Sequence, residues 1–66
     1  MSTLGDEYPI EQARVREVLA MYKEIGPAGT FGAMNIEAVL READQAALSG
    51  DLVRMIAAFQ KMKDCC

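Results

Sequence analysis

The stretch "GPAGTFG", Gly26-Pro27-Ala28-Gly29-Thr30-Phe31-Gly32, decides how this chain is read. It separates two segments of helical periodicity, and its glycines recur every third residue. One reading is a phosphate-cradling loop, the other a corner between helices. A Walker loop needs G-x-x-x-x-G-K-[ST], with its lysine on the β and γ phosphates. Here Gly26 and Gly32 stand six positions apart, and Ala33 takes the place of the lysine. A dinucleotide fingerprint follows a strand, whereas this loop follows a helical segment. The corner is the reading that remains. Gly26 ends the first helix with a left-handed backbone and Pro27 cannot continue it. Gly29 and Gly32 permit a tight path, and Phe31 is expected to plug inward between them. The only ligand chemistry left to the loop is generic: backbone amides at the start of the next helix can hold an anion.

Outward from the corner, the chain predicts three helices, at about 9–25, 31–48 and 52–64. In the first, Pro9 suits the opening helical position, and Val15, Val18, Leu19, Tyr22 and Ile25 recur at helical spacing. The second carries Ile36, Val39, Leu40, Ala43 and Ala47, with Leu48 near its end. Thr30 or Asn35 is its candidate cap, and Glu37 and Arg41 form an i, i+4 pair. "SGD" then closes a short helical hairpin, with Gly50 ending one helix and Asp51 capping the next. The third helix is expected to bury Leu52, Ile56, Phe59 and Met62, with Val53 and Met55 widening the stripe. No alternating strand pattern occurs. The expected fold is all-α, a small three-helix bundle with a C-terminal antiparallel helical hairpin. Residues 1–7 read as a flexible tail, 8–64 as one domain, and Cys65 and Cys66 as a terminal tail of exposed thiols.

Composition excludes several functions. The chain has 66 residues, a net charge of −3 and no histidine. Its seven lysines and arginines are scattered, so no basic face is available to release counterions from nucleic acid. Without histidine the commonest general base at neutral pH is missing, and the acids read as solvated helix faces. No metal, cofactor or catalytic set is expected: zinc wants four ligands, and two adjacent terminal cysteines supply at most two. Those cysteines cannot staple separate segments either. No apolar run approaches the ~20 residues that span a bilayer, and "MSTLGDEYP" lacks the basic and apolar regions of a signal peptide. A non-enzymatic, cytoplasmic protein is expected.

The hairpin "EAVLREADQAALSGDLVRMIAAFQKMK" resembles one tetratricopeptide unit, through the "GD" turn, Ala43, Ile56, Phe59 and Lys61. It departs from that repeat at Met55 and Met62 and in the aromatic positions of the first helix. The resemblance implies a helical hairpin and a protein-binding role, although one unit cannot form the groove of an array. The stretch "YPIEQARVREVLAMYKEIGPAGTFGAMNIE" resembles small helical proteins of proteobacteria and their prophages, which implies an origin but no activity. Ala46, Gly50 and Ile56 have helix-turn-helix spacing, yet "LVRMIAAF" is too apolar for a helix that reads bases.

At 52% hydrophobic residues, the chain carries more apolar material than three short helices hide, and small domains are marginal alone. The first and third helices both have stripes wider than one facing hairpin needs. The expected function is a protein-interaction or self-association module, a homodimer with a further protein partner. Its expected surface is Met21, Tyr22, Ile25, Phe31, Met55, Phe59 and Met62. The alternative is a small-molecule or anion sensor built on Gly26–Gly32 and the following helix N-terminus.

Overall fold

The computed structural model describes residues 3–65. The all-α expectation holds. Three α-helices follow one another, α1 (Leu4–Ile25), α2 (Thr30–Ser49) and α3 (Leu52–Cys65), with a 3₁₀ turn at Pro27–Gly29 between α1 and α2. Among the described residues no helix is long and apolar enough to cross a membrane.

Helix α1 starts five residues before the position the sequence suggested, inside the segment read as a flexible tail. The cause lies in "TLGD". Thr3 has an extended backbone, and its hydroxyl accepts a hydrogen bond from the Asp6 amide at 3.2 Å. Asp6 and Glu7 place negative charge against the positive end of the helix dipole. Pro9 is therefore an interior residue of α1 rather than its first. Its missing N–H leaves the carbonyl of Gly5 without an intrahelical donor, which an exposed first turn tolerates.

The extra turn carries Tyr8 into the core, seven residues before Val15 on the same face. The Tyr8 hydroxyl donates to the Ala43 carbonyl at 2.7 Å, and its ring stacks on Phe59 with 6.2 Å between centroids. Around it the core comprises Val15, Ile36, Leu40, Ala43, Ala46, Ala58 and Met62, flanked by Val18, Leu19, Tyr22, Val39, Met55, Phe59 and Cys65. Each large side chain buried in this way contributes about 1.5–3 kcal/mol.

Alanines set how α3 lies. Ala43, Ala46 and Ala58 are all but fully buried, and small side chains let helix backbones approach closely. Helix α3 consequently turns Met55, Ala58, Phe59, Met62 and Cys65 to the core and leaves Leu52, Val53 and Ile56 exposed. This differs from the stripe read in the sequence. On α2, likewise, Ala46 is buried in place of Ala47, and Leu48 is exposed. Cys65 closes α3 and packs against the core instead of belonging to a tail; Cys66 lies outside the described residues.

Helix α3 is shorter than its neighbours, with 14 residues against 22 and 20. At 1.5 Å per residue it spans about 21 Å beside the ~33 Å of α1. It meets α1 through Phe59 on Tyr8, Lys63 on Glu11 at 3.8 Å, and Arg14, which donates to the Met62 carbonyl at 3.0 Å. Beyond Val15, no residue of α1 is fully buried. The glycine corner therefore stands at the end of a two-helix arm. This elongation shows in a radius of gyration of 12.2 Å, where a compact domain of this length has about 11 Å.

Candidate interaction surfaces

The corner is a packing device. Gly26 has φ 86° and ψ −147°. Its φ is positive as expected, but its ψ puts it in an extended region essentially restricted to glycine, not in the left-handed helical region. A Cβ on Gly29 would lie 2.3 Å from the Tyr22 carbonyl oxygen, and one on Gly32 would lie 2.5 Å from the Tyr22 ring. Two of the three glycines thus exist to admit the last turns of α1. Neither Thr30 nor Asn35 caps α2: Gly29 precedes the helix, Thr30 donates through its hydroxyl to the Gly26 carbonyl at 3.5 Å, and Asn35 lies within the helix. The leading amides are already engaged, Gly29 with the Gly26 carbonyl and Thr30 with the Pro27 carbonyl.

Phe31 does not plug the corner. It is 85% exposed, because the Tyr22 ring already lies against Gly32, where an anchor would have to sit. The seven residues expected to form an interaction surface divide three ways. Met21, Ile25 and Phe31 are exposed; Tyr22, Met55 and Phe59 are partly buried; Met62 is wholly buried and belongs to the core. Met21 and Ile25 lie one turn apart on α1. Phe31 and Met34, the latter also exposed, lie one turn apart at the start of α2. Both pairs flank the corner along the chain, and of the four Met34 lines the hollow beside it. A second set flanks the hairpin turn along the chain: Leu48 on α2, and Leu52, Val53 and Ile56 on α3. The sequence signal for the second group was present in the width of the α3 stripe, but spacing alone did not say which edge would be left outside.

Between α1 and α2, on a side to which α3 contributes nothing, runs an open groove of about 580 Å³. Its apolar surface comes from Leu19, Ala20, Leu40 and Leu48. Two ion pairs cross it, Arg16 to Asp44 at 2.9 Å and Lys23 to Glu37 at 3.0 Å. Glu37 is thus paired across helices, not with Arg41 four residues on. A smaller hollow of about 290 Å³ continues towards the corner, sharing Lys23 and Glu37 and lined also by Tyr22, Thr30 and Met34.

Titration behaviour is altered at Tyr8 in the core. Burial, and then the carboxylates of Asp44 and Glu42, push the Tyr8 phenol above its ordinary value of 10.0, with Arg54 acting in the opposite direction. Among the described residues no cluster of histidine, cysteine, aspartate or glutamate has the arrangement of a metal site. No protein-family model, no curated protein and no solved structure matches the chain.

Proposed function

We propose that this chain is a non-enzymatic cytoplasmic interaction module that forms a homodimer and presents a further apolar surface to a protein partner. One observation carries the reading. Among the described residues, nine large apolar side chains are between 48% and 88% exposed. Single exposed apolar residues are ordinary. Here eight of the nine stand beside one of the two chain reversals, four around the corner and four around the hairpin, with Ile10 apart, and concentrated apolar surface marks contacts. A standard interface takes about 800 Å² from each partner, less than a fifth of the 4465 Å² this chain exposes, so one self-contact leaves ample surface for another. Adjacent cysteines that cannot bridge separate segments fit a reducing compartment.

The test is gel filtration coupled to light scattering, in reductant, across micromolar concentrations. A dimer mass with a melting temperature that rises with protein concentration is expected. A constant mass of 7.2 kDa with a concentration-independent melt would overturn the self-association reading.

A further inference from the structure

The α1–α2 groove holds a positive charge that nothing in the chain answers. Its lining contains three cations, Arg16, Lys23 and Arg41, against two acids, Glu37 and Asp44. Both acids are engaged: Lys23 pairs with Glu37, and Asp44 takes Arg16 together with a hydrogen bond from the Gln12 amide at 2.8 Å. Among the described residues Arg41 has no ion pair, and Gln45, one turn further along α2, has no side-chain hydrogen bond. Both stand on the α2 side of the groove as N–H donors without an acceptor. Beside them the floor is apolar. Leu19, Ala20 and Leu40 lie between the two ion pairs, and past Asp44 the surface continues onto Leu48, 88% exposed.

We propose that the groove docks an amphipathic helix of a partner protein, apolar on the face it buries and carrying a carboxylate on the edge beside α2. This inference names a surface for the further protein partner proposed above and rests on that half of the reading. Charge sets the sign of the occupant. A carboxylate accepts the paired N–H donors of the Arg41 guanidinium and is within reach of the Gln45 amide one turn on, whereas a basic residue there would meet Arg41 with both acids of the groove already taken. Shape sets its class. Only two helices wall the groove, while a small ligand is ordinarily buried over about 70–90% of its surface. A helix needs only one stripe covered. Helix α3 already packs on the same two helices from another side in this manner, with Phe59 and Met62 inward and Lys63 beside Glu11 at the edge. The floor also sets the register. Leu40 and Leu48 are about 12 Å apart along α2, so the occupant's apolar anchors are expected seven or eight residues apart, with its acid between them.

The probe is a panel of leucine-striped helical peptides of about 18 residues, long enough to span the groove, each with one glutamate moved through the positions between the anchors. A second panel carries lysine instead. Fluorescence anisotropy reads affinity for the native chain and for Arg41→Glu, and amide shifts in NMR spectra locate the contact. At least one glutamate peptide should bind the native chain and shift Leu19, Leu40 and Leu48. Its lysine counterpart should bind on the order of tenfold or more weakly. Arg41→Glu should invert that preference, and Leu48→Ser should weaken both peptides; circular dichroism confirms that these exposed substitutions leave the chain helical. No binding by any glutamate peptide, equal affinity for the two panels, or a preference unchanged in Arg41→Glu would overturn the proposal. Shifts confined to Phe31 or Val53 and their neighbours would overturn the groove and leave a protein partner standing on another surface. Decanoate binding in the groove where no peptide binds would overturn it in favour of a small amphiphile. A chain that stays at 7.2 kDa yet shows the invertible preference would overturn the homodimer alone and support the groove.

Discussion

The chain reverses direction twice, and the two reversals are built differently. At Ser49–Asp51 every interaction is local. Gly50 takes the left-handed helical conformation, φ 71° and ψ 9°, and nothing lies within 4 Å of where its Cβ would be. The Asp51 carboxylate accepts from the amides of Val53 and Arg54, at 3.0 and 3.3 Å. The Ser49 hydroxyl donates to the Ala46 carbonyl and accepts from the Asp51 amide. At the glycine corner, by contrast, the constraint comes from α1 itself: Gly29 and Gly32 are held by the backbone and ring of Tyr22. One reversal would survive transplantation to another hairpin. The other makes sense only against the helix it folds onto.

Substitutions can break that contrast. The largest effect is expected for Gly29→Ala, where the new methyl group meets a backbone oxygen that cannot step aside; overpacking of this kind costs about 2–3 kcal/mol. Gly32→Ala, which meets only the movable Tyr22 ring, should cost less, and denaturant unfolding of the two variants measures the gap. Equal losses would mean that the corner is governed by backbone freedom alone. Gly26→Ala should follow, losing about 1–3 kcal/mol through local strain in its glycine-only backbone, with no added clash against other residues, since nothing beyond its chain neighbours lies within 4 Å of its Cβ position.

Asp51→Ala tests the local reversal. It should lose about 1 kcal/mol, the ordinary value of an N-cap, and Asp51→Ser should restore most of it. A loss as large as that of Gly29→Ala would show that the hairpin turn, too, depends on tertiary contacts.

The smallest effect concerns Tyr8, which ties α1 to α2 and α3 at the hairpin end. Tyr8→Phe should cost about 1 kcal/mol, the net worth of one hydrogen bond, because the Ala43 carbonyl stays within its own helix. The native chain should also show an alkaline dependence that the variant lacks. The folded state holds the phenolic proton more tightly than the unfolded state, whose value is near 10.0. The contribution is therefore complete below pH 10 and is lost as pH rises through the higher folded value. Parallel melts of the two proteins on either side of that pH read the difference; identical slopes would contradict the raised value.

Much of this structure was legible in residue types. Gly50 and Asp51 marked the hairpin, Gly26 and Pro27 marked the end of α1, and the Ile36–Leu40–Ala43 repeat marked the buried face of α2. The start of α1 was written in Thr3 and Asp6 as well, but Pro9 drew the boundary to itself, although a proline in an exposed early turn need not begin a helix. Phe31 shows the opposite failure. Its apolar side chain suggested an anchor, and no local signal revealed that Tyr22 would occupy the place.

By itself the sequence determined three helices, two short reversals, an acidic surface and a surplus of apolar side chains, because backbone propensity, capping and periodicity act over a few neighbouring residues. Only the tertiary structure decided which edge of α3 faces inward, which glycines are sterically required, and where the surplus lies. Those outcomes depend on how closely Ala43, Ala46 and Ala58 let α2 and α3 approach, and on α3 being too short to cover the arm that carries the corner. Close packing is a property of pairs of helices, and a spacing pattern describes one helix at a time.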